Sequence, residues 1–111
     1  MNMKKVCAMR FRPTALAWID PEVSAAPEWD SRQVRRLARR LGYALIWPDG
    51  ALIPLADQVR AADVDAVIVP STSHLSPIML NSLMDLADVE AVIPRLSFSR
   101  WATSAGRGSG Q

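Results

Sequence analysis

The strongest constraint on this chain is the run Asp65-Ala66-Val67-Ile68-Val69-Pro70, followed directly by Ser71-Thr72-Ser73-His74-Leu75-Ser76-Pro77. A short β-branched apolar run between polar and turn residues reads as a strand buried on both faces. Ser76-Pro77 then supplies a helix cap followed by proline at the first helical position, where its missing N–H costs nothing. A strand buried on both faces needs other strands beside it and helices to cover it. Ligands and catalytic groups of open α/β sheets collect at the carboxyl ends of such strands. The only histidine, His74, sits in that loop.

The rest of the chain supplies those partners in alternation. Thr14 to Ile19 reads as a first strand closed by Asp20-Pro21, and Pro21 to Trp29 as a loop. A helix follows, with Asp30 or Ser31 placed to accept its free amides. Val34, Leu37, Ala38 and Leu41 form one apolar stripe at i, i+3, i+4 and i+7. Gly42 stands where a left-handed cap belongs, and Arg39 and Arg40 lie in the last turn, where the helix dipole favours cations. Tyr43 to Trp47 reads as a second strand stopped by Pro48-Asp49-Gly50. Pro54 to about Ala62 is expected to be a short helix, and Asp65 to Val69 the third strand. A helix from Pro77 carries Leu80, Leu83, Met84 and Ala87, and Glu90 to Pro94 is the fourth strand.

This order predicts an α/β fold: a three-layer domain with a four-stranded, mainly parallel sheet and helices on both faces. Residues 1–13 are expected to be a basic N-terminal arm, 14–101 the α/β domain, and 102–111, rich in Gly, Ser and Ala, a disordered tail. At 111 residues there is room for one core and not two.

Charge is unevenly placed. Residues 1–40 hold nine Lys or Arg against four Asp or Glu, a balance of +5; residues 41–111 hold four against seven, a balance of −3. Arg32, Arg35, Arg36, Arg39 and Arg40 share the helix face opposite the apolar stripe, with no acid between residues 31 and 41. That face suits phosphates, each contact adding a salt-dependent increment, or an acidic protein; its plainer reading is a solvated helix surface. Trp18 and Trp47 lie on expected strands and read as core, whereas Trp29 and Trp101 are better placed to stack on a partner.

Other chemistry is sparse. No glycine-rich phosphate loop is present, and neither paired histidines nor a Cys-x-x-Cys offers a metal site, so no cofactor or metal is expected. Asp63/Asp65 and Asp85/Asp88 read as solvated element ends. Ser71, Thr72, Ser73 and Ser76 read as caps and loop ties, or as a hydroxyl-rich anion cradle. The single cysteine, Cys7, forms no internal disulfide, and the basic N-terminus lacks a secretory apolar core; a cytoplasmic protein is expected. No apolar run approaches the roughly 18 residues of a membrane span, so no membrane contact is expected.

Several segments, in the same order, resemble the catalytic domain of serine recombinases, the resolvase/invertase family. Ser31-Arg32-Gln33 with Leu37 and Leu41-Gly42-Tyr43 is similar to that family's first helix, D-R-Q-x-x-x-L ending in A-G-Y. Asp65 to Val69, running on through Ser73-His74-Leu75-Ser76, resembles its strand and loop ending D-R-L-S-R. Val89 to Leu96 resembles the next strand, and Thr103 to Arg107 a later T-x-x-G-R segment, so the likeness covers residues 14 to about 107.

The departures fall on the chemistry that the resemblance implies. Where the family has Y-x-R-x-S, whose serine attacks a phosphodiester, this chain reads Trp18-Ile19-Asp20-Pro21-Glu22. Asp20 replaces the arginine and Glu22 the nucleophile. Ser73 replaces the aspartate, His74 the first arginine and Pro77 the second, and proline has no donor to stabilise phosphate charge. Ser24 is a conceivable displaced nucleophile, without an arginine cluster to serve it. Nor does the sequence show a long dimerisation helix after residue 100 or a DNA-reading helix-turn-helix.

The first expectation is therefore a non-catalytic resolvase-like domain acting by protein–protein contact or self-association, with the arginine face as its surface. The alternative is a DNA-associated regulatory protein that uses this face and the arm Lys4 to Arg12 on the phosphate backbone. A third is an enzyme using Ser24 or His74 on a small anionic substrate.

Overall fold

A computed structural model describes residues 13–48 and 53–100. Strand β1 (Thr14–Ala17) leads to helix α1 (Pro27–Leu41), then β2 (Ala44–Ile46), α2 (Leu55–Ala62) and β3 (Ala66–Val69). A single 3-10 turn (Thr72–His74) precedes α3 (Pro77–Met84), β4 (Asp88–Ala91) and β5 (Leu96–Phe98). The five strands form one sheet in the order β2-β1-β3-β4-β5. The first four run parallel, and β5 is antiparallel to β4.

The α/β class read from the sequence holds, and the expected four-stranded sheet is corrected to five strands of mixed direction. The chain leaves β4 at Ala91, before the expected end at Pro94, and turns through Val92 to Arg95 with a cis Ile93–Pro94 peptide. It then returns as Leu96–Phe98, in register with Ala91 and Val89. Three residues preceded by an arginine carry too little alternation to announce a strand. The β4 ladder is what holds them.

Period-two alternation divides the core. Ala15, Ala17, Ala66 and Ile68 gather with Val34, Leu37 and Ala38 of α1. Leu16, Val67, Val69, Val89 and Ala91 gather with Leu55 and Val59 of α2 and Leu83 of α3. All four residues of β3 are buried, as its unbroken apolar run implies. Beneath α1 the strands offer mainly alanine, so Val34 and Leu37 of the helix bring most of the bulk. Ile68 is the large strand side chain on that side, and its truncation to alanine should cost about 2–5 kcal/mol.

Local chemistry fixes the helix ends. Gly42 closes α1 at φ +85°, a conformation open to glycine at little cost, and its amide reaches the carbonyls of Ala38 and Arg39. The start of α1 is a correction: it begins at Pro27, three residues before Asp30, and its preceding residue Ala26 offers no side-chain cap. Proline's fixed φ and the carboxylates of Glu28 and Asp30 in the first turn stand in for one. Ser76 does cap α3, its Oγ accepting from the Met79 amide at 3.1 Å. The expected basic arm and tail lie outside the described residues, apart from Pro13, whose carbonyl accepts from the Ala44 amide at 2.8 Å.

Glu90 is a carboxylate buried within β4, opposite Ile68 and Ser97 in the ladder. Ser97 Oγ donates to its Oε2 at 3.0 Å. Arg95 Nη2 stands 2.8 Å from Oε1, an ion contact too poorly aligned to be a hydrogen bond. The return of the chain along β5 thus neutralises a charge that β4 could not otherwise bury.

Candidate functional site

Two regions gather polar side chains. The first lies at the carboxyl ends of β1 and β3, where the connections from the sheet diverge: β1 leads outward to β2, while the chain crosses back to β3. That reversal is the topological switch point, the usual ligand crevice of open α/β sheets. A cleft of about 270 Å³ opens there, with Ser24, Asp30, Gln33, Ser71, Ser73 and His74 as its polar lining.

His74 is the anchor of this region, 4% exposed. The Asp20 amide donates to its Nδ1 at 2.9 Å, and the indole Nε1 of Trp18 donates to its main-chain carbonyl at 3.1 Å. One residue of the β3 loop thereby grips the end of β1 twice. Because an amide can only donate, Nδ1 must be unprotonated, leaving the proton on Nε2. Burial pulls the histidine pKa below 6.5, with Asp30 and Asp20 pulling the other way.

The neighbouring groups are partly tied to one another. Ser24 Oγ donates to Asp30 Oδ2 at 2.6 Å. Asp20 Oδ1 accepts from the Glu22 amide at 2.9 Å, folding the loop after β1 into a tight turn. Ser71 Oγ accepts from the Ser73 amide at 3.3 Å, and the two hydroxyls are 2.6 Å apart. Ser71 and Ser73 thus tie the loop after β3 to itself. Glu22 is exposed, and Pro77 opens α3.

The second region is the outer face of α1. Arg32, Arg35, Arg36, Arg39 and Arg40 are all exposed, and none is in an ion pair among the described residues. The Arg35 guanidinium lies over the Trp47 ring, 5.1 Å from its centroid. Arg35, Arg39, Tyr43 and Trp47 border an open depression of about 270 Å³ between α1 and β2. Trp47 is a correction to the sequence reading: it is 39% exposed, because β2 is a three-residue edge strand that ends before it. Trp29 is exposed as expected, and Trp18 is half-buried against the core. Burial raises the Tyr43 pKa, with Asp88, Glu90 and Asp65 adding to the effect.

Sequence reasoning singled out His74 and Ser24 but missed Asp30 and Gln33 as their companions. In the sequence Asp30 reads only as a cap, and nothing in the spacing Ser24-x5-Asp30 signals a hydrogen bond. Among the described residues no cluster of three His, Cys, Asp or Glu suits a metal ion, and no helix is long and apolar enough to cross a membrane. The chain matches no family model, no curated protein and no solved structure.

Proposed function

We propose that this chain is a non-catalytic, three-layer resolvase-like domain of the cytoplasm that acts by binding, as a protein–protein interaction or regulatory module. The observation that carries the reading is the arginine face of α1. Five exposed guanidiniums, with no ion-pair partner among the described residues, stand on one glycine-capped helix. From Arg32 to Arg40 they span about 12 Å of helix axis. That much like charge gathered on one folded surface favours a partner that brings the opposite charge.

The positions at which the resemblance implies catalytic groups support the absence of strand cleavage. Asp20 is spent on its turn and on His74, and Pro77 on the start of α3. Glu22 is exposed, and Ser73 hydrogen-bonds Ser71. None offers a guanidinium to a phosphate. A plasmid incubation that yields a covalent protein–DNA adduct would overturn this reading.

One observation favours the DNA-associated alternative: the arginine face continues onto an exposed aromatic ring through the Arg35–Trp47 stack. Guanidiniums beside an aromatic surface are suited to the phosphate backbone. With five phosphate contacts, affinity for duplex DNA would fall roughly 500-fold between 50 and 200 mM salt. Capture from native cells with and without nuclease separates the two partners. Retention after nuclease supports the protein partner; loss, together with salt-dependent binding of purified duplex, supports DNA.

A further inference from the structure

The cleft at the switch point has chemistry that the binding reading does not use. His74 Nδ1 is taken by the Asp20 amide, so Nε2 carries the proton. Nε2 has no hydrogen-bond partner among the described residues. His74 itself lines the cleft, which places this donor at its wall. On the α1 side of the same cleft, Ser24 occupies only Oδ2 of Asp30. A buried donor and a carboxylate acceptor thus border one hollow, with the amide of Gln33 as another polar group and Val92 and Ile93 as apolar wall.

The charge of the lining decides the ligand class. It contains Asp30 and neither arginine nor lysine. A phosphate or carboxylate would meet repulsion, so the small anionic substrate considered from the sequence does not fit. A cation would face the Nε2–H. A hydroxyl can accept from Nε2 while its neighbour donates to a carboxylate, which is how acidic side chains hold sugar hydroxyls. The volume, about 270 Å³, lies just below the roughly 300–1,000 Å³ of drug-sized ligand sites, which limits the ligand to a small molecule.

We propose that this cleft binds a small neutral polyol, with adjacent hydroxyls bridging His74 Nε2 and the Asp30 carboxylate. The polyol is a free monosaccharide or the ribose of a nucleoside. None of the five arginines lines this cleft, so either site can fail without the other.

The chain has one histidine, which makes its ring resonance an unambiguous reporter. D-ribose, adenosine and inorganic phosphate are each titrated into the full chain to about 10 mM, where a site of millimolar Kd is mostly filled. The expected result is a saturable shift of the His74 ring protons by ribose or adenosine and none by phosphate. Ribose alone points to a free sugar, and a stronger response to adenosine points to a nucleoside. Asp30→Ala should weaken binding at least tenfold and Asp30→Asn by less, the second variant guarding against loss of fold. Arg39→Glu, on the face of α1 away from Asp30, should leave the titration unchanged. No saturable shift from either polyol, a shift from phosphate, or undiminished binding by the folded Asp30 variants would overturn the proposal.

Discussion

The switch-point cleft and the arginine face are built on the same helix, yet they treat polar groups in opposite ways. In the cleft, Asp20, Ser24, Asp30, Ser71 and His74 bond mostly to one another or to main chain. On the outer face, five guanidiniums have no ion-pair partner among the described residues. Groups whose bonds close inside the chain are fixed by folding, and their loss is felt in stability. Groups whose bonds remain open contribute little to folding and are felt on binding. Each prediction below tests one side of that contrast.

The largest effect is expected at His74. Replacing it with alanine leaves the Asp20 amide without an acceptor and opens a gap beside β1, at a cost of about 3 kcal/mol. In urea this should lower the midpoint without changing the slope. A midpoint equal to that of the parent would show that the two loops hold without the clamp.

Charge reversal on the other face should invert the pattern. Arg36→Glu with Arg39→Glu should leave the urea midpoint within about 0.5 kcal/mol of the parent, as surface changes usually do. If DNA is the partner, duplex binding should weaken roughly a hundredfold and the salt slope should fall by about two. A large loss of stability with intact binding would mean that the arginines serve the fold.

Titration sharpens the contrast further. His74 has a pKa below its ordinary 6.5 because burial penalises the charged ring. The unfolded chain therefore takes up the proton at a higher pH than the folded chain does. The stabilisation is complete above pH 6.5 and is lost as pH falls through the lower folded value. His74→Asn keeps an acceptor for the Asp20 amide and removes the proton. Urea midpoints measured downward from pH 7 should fall less in this variant than in the parent. Parallel profiles would assign the acid sensitivity to other groups.

The parts of this molecule legible in sequence are those that local chemistry determines. The β3 run, the α1 stripe as far as Ala38 (Leu41, its expected last member, is exposed), the Gly42 stop and the Ser76 cap follow from periodicity and from which residues tolerate a given backbone. Strand β5 was not legible, because Leu96–Phe98 is defined by its partner β4 and not by its own pattern. The cleft was half legible. His74 stood out as the lone histidine, but its partner at Nδ1 is an amide 54 positions away. A main-chain donor at that separation has no sequence signature. Glu90 did leave one, a carboxylate inside an apolar strand, which marks a charge needing a partner; Arg95 and Ser97 follow within the same hairpin.

The smallest expected effect concerns Arg35, which stands between the two behaviours. Its guanidinium lies over Trp47, so this arginine is held within the chain, whereas its neighbours have no such partner among the described residues. A cation over an exposed ring contributes about 0.5–1 kcal/mol. A double-mutant cycle of Arg35→Ala and Trp47→Ala should therefore give a coupling of about that size in urea denaturation. A coupling near zero would make Arg35 equivalent to the other four. If the coupling is found, the stack is formed before any partner arrives, and Arg35 loses less side-chain entropy on binding than Arg32, Arg36 or Arg40. Trp47→Ala should then weaken partner binding through Arg35 alone, and should have no further effect once Arg35 is alanine. Additive losses from the two substitutions would instead mean that Trp47 touches the partner itself.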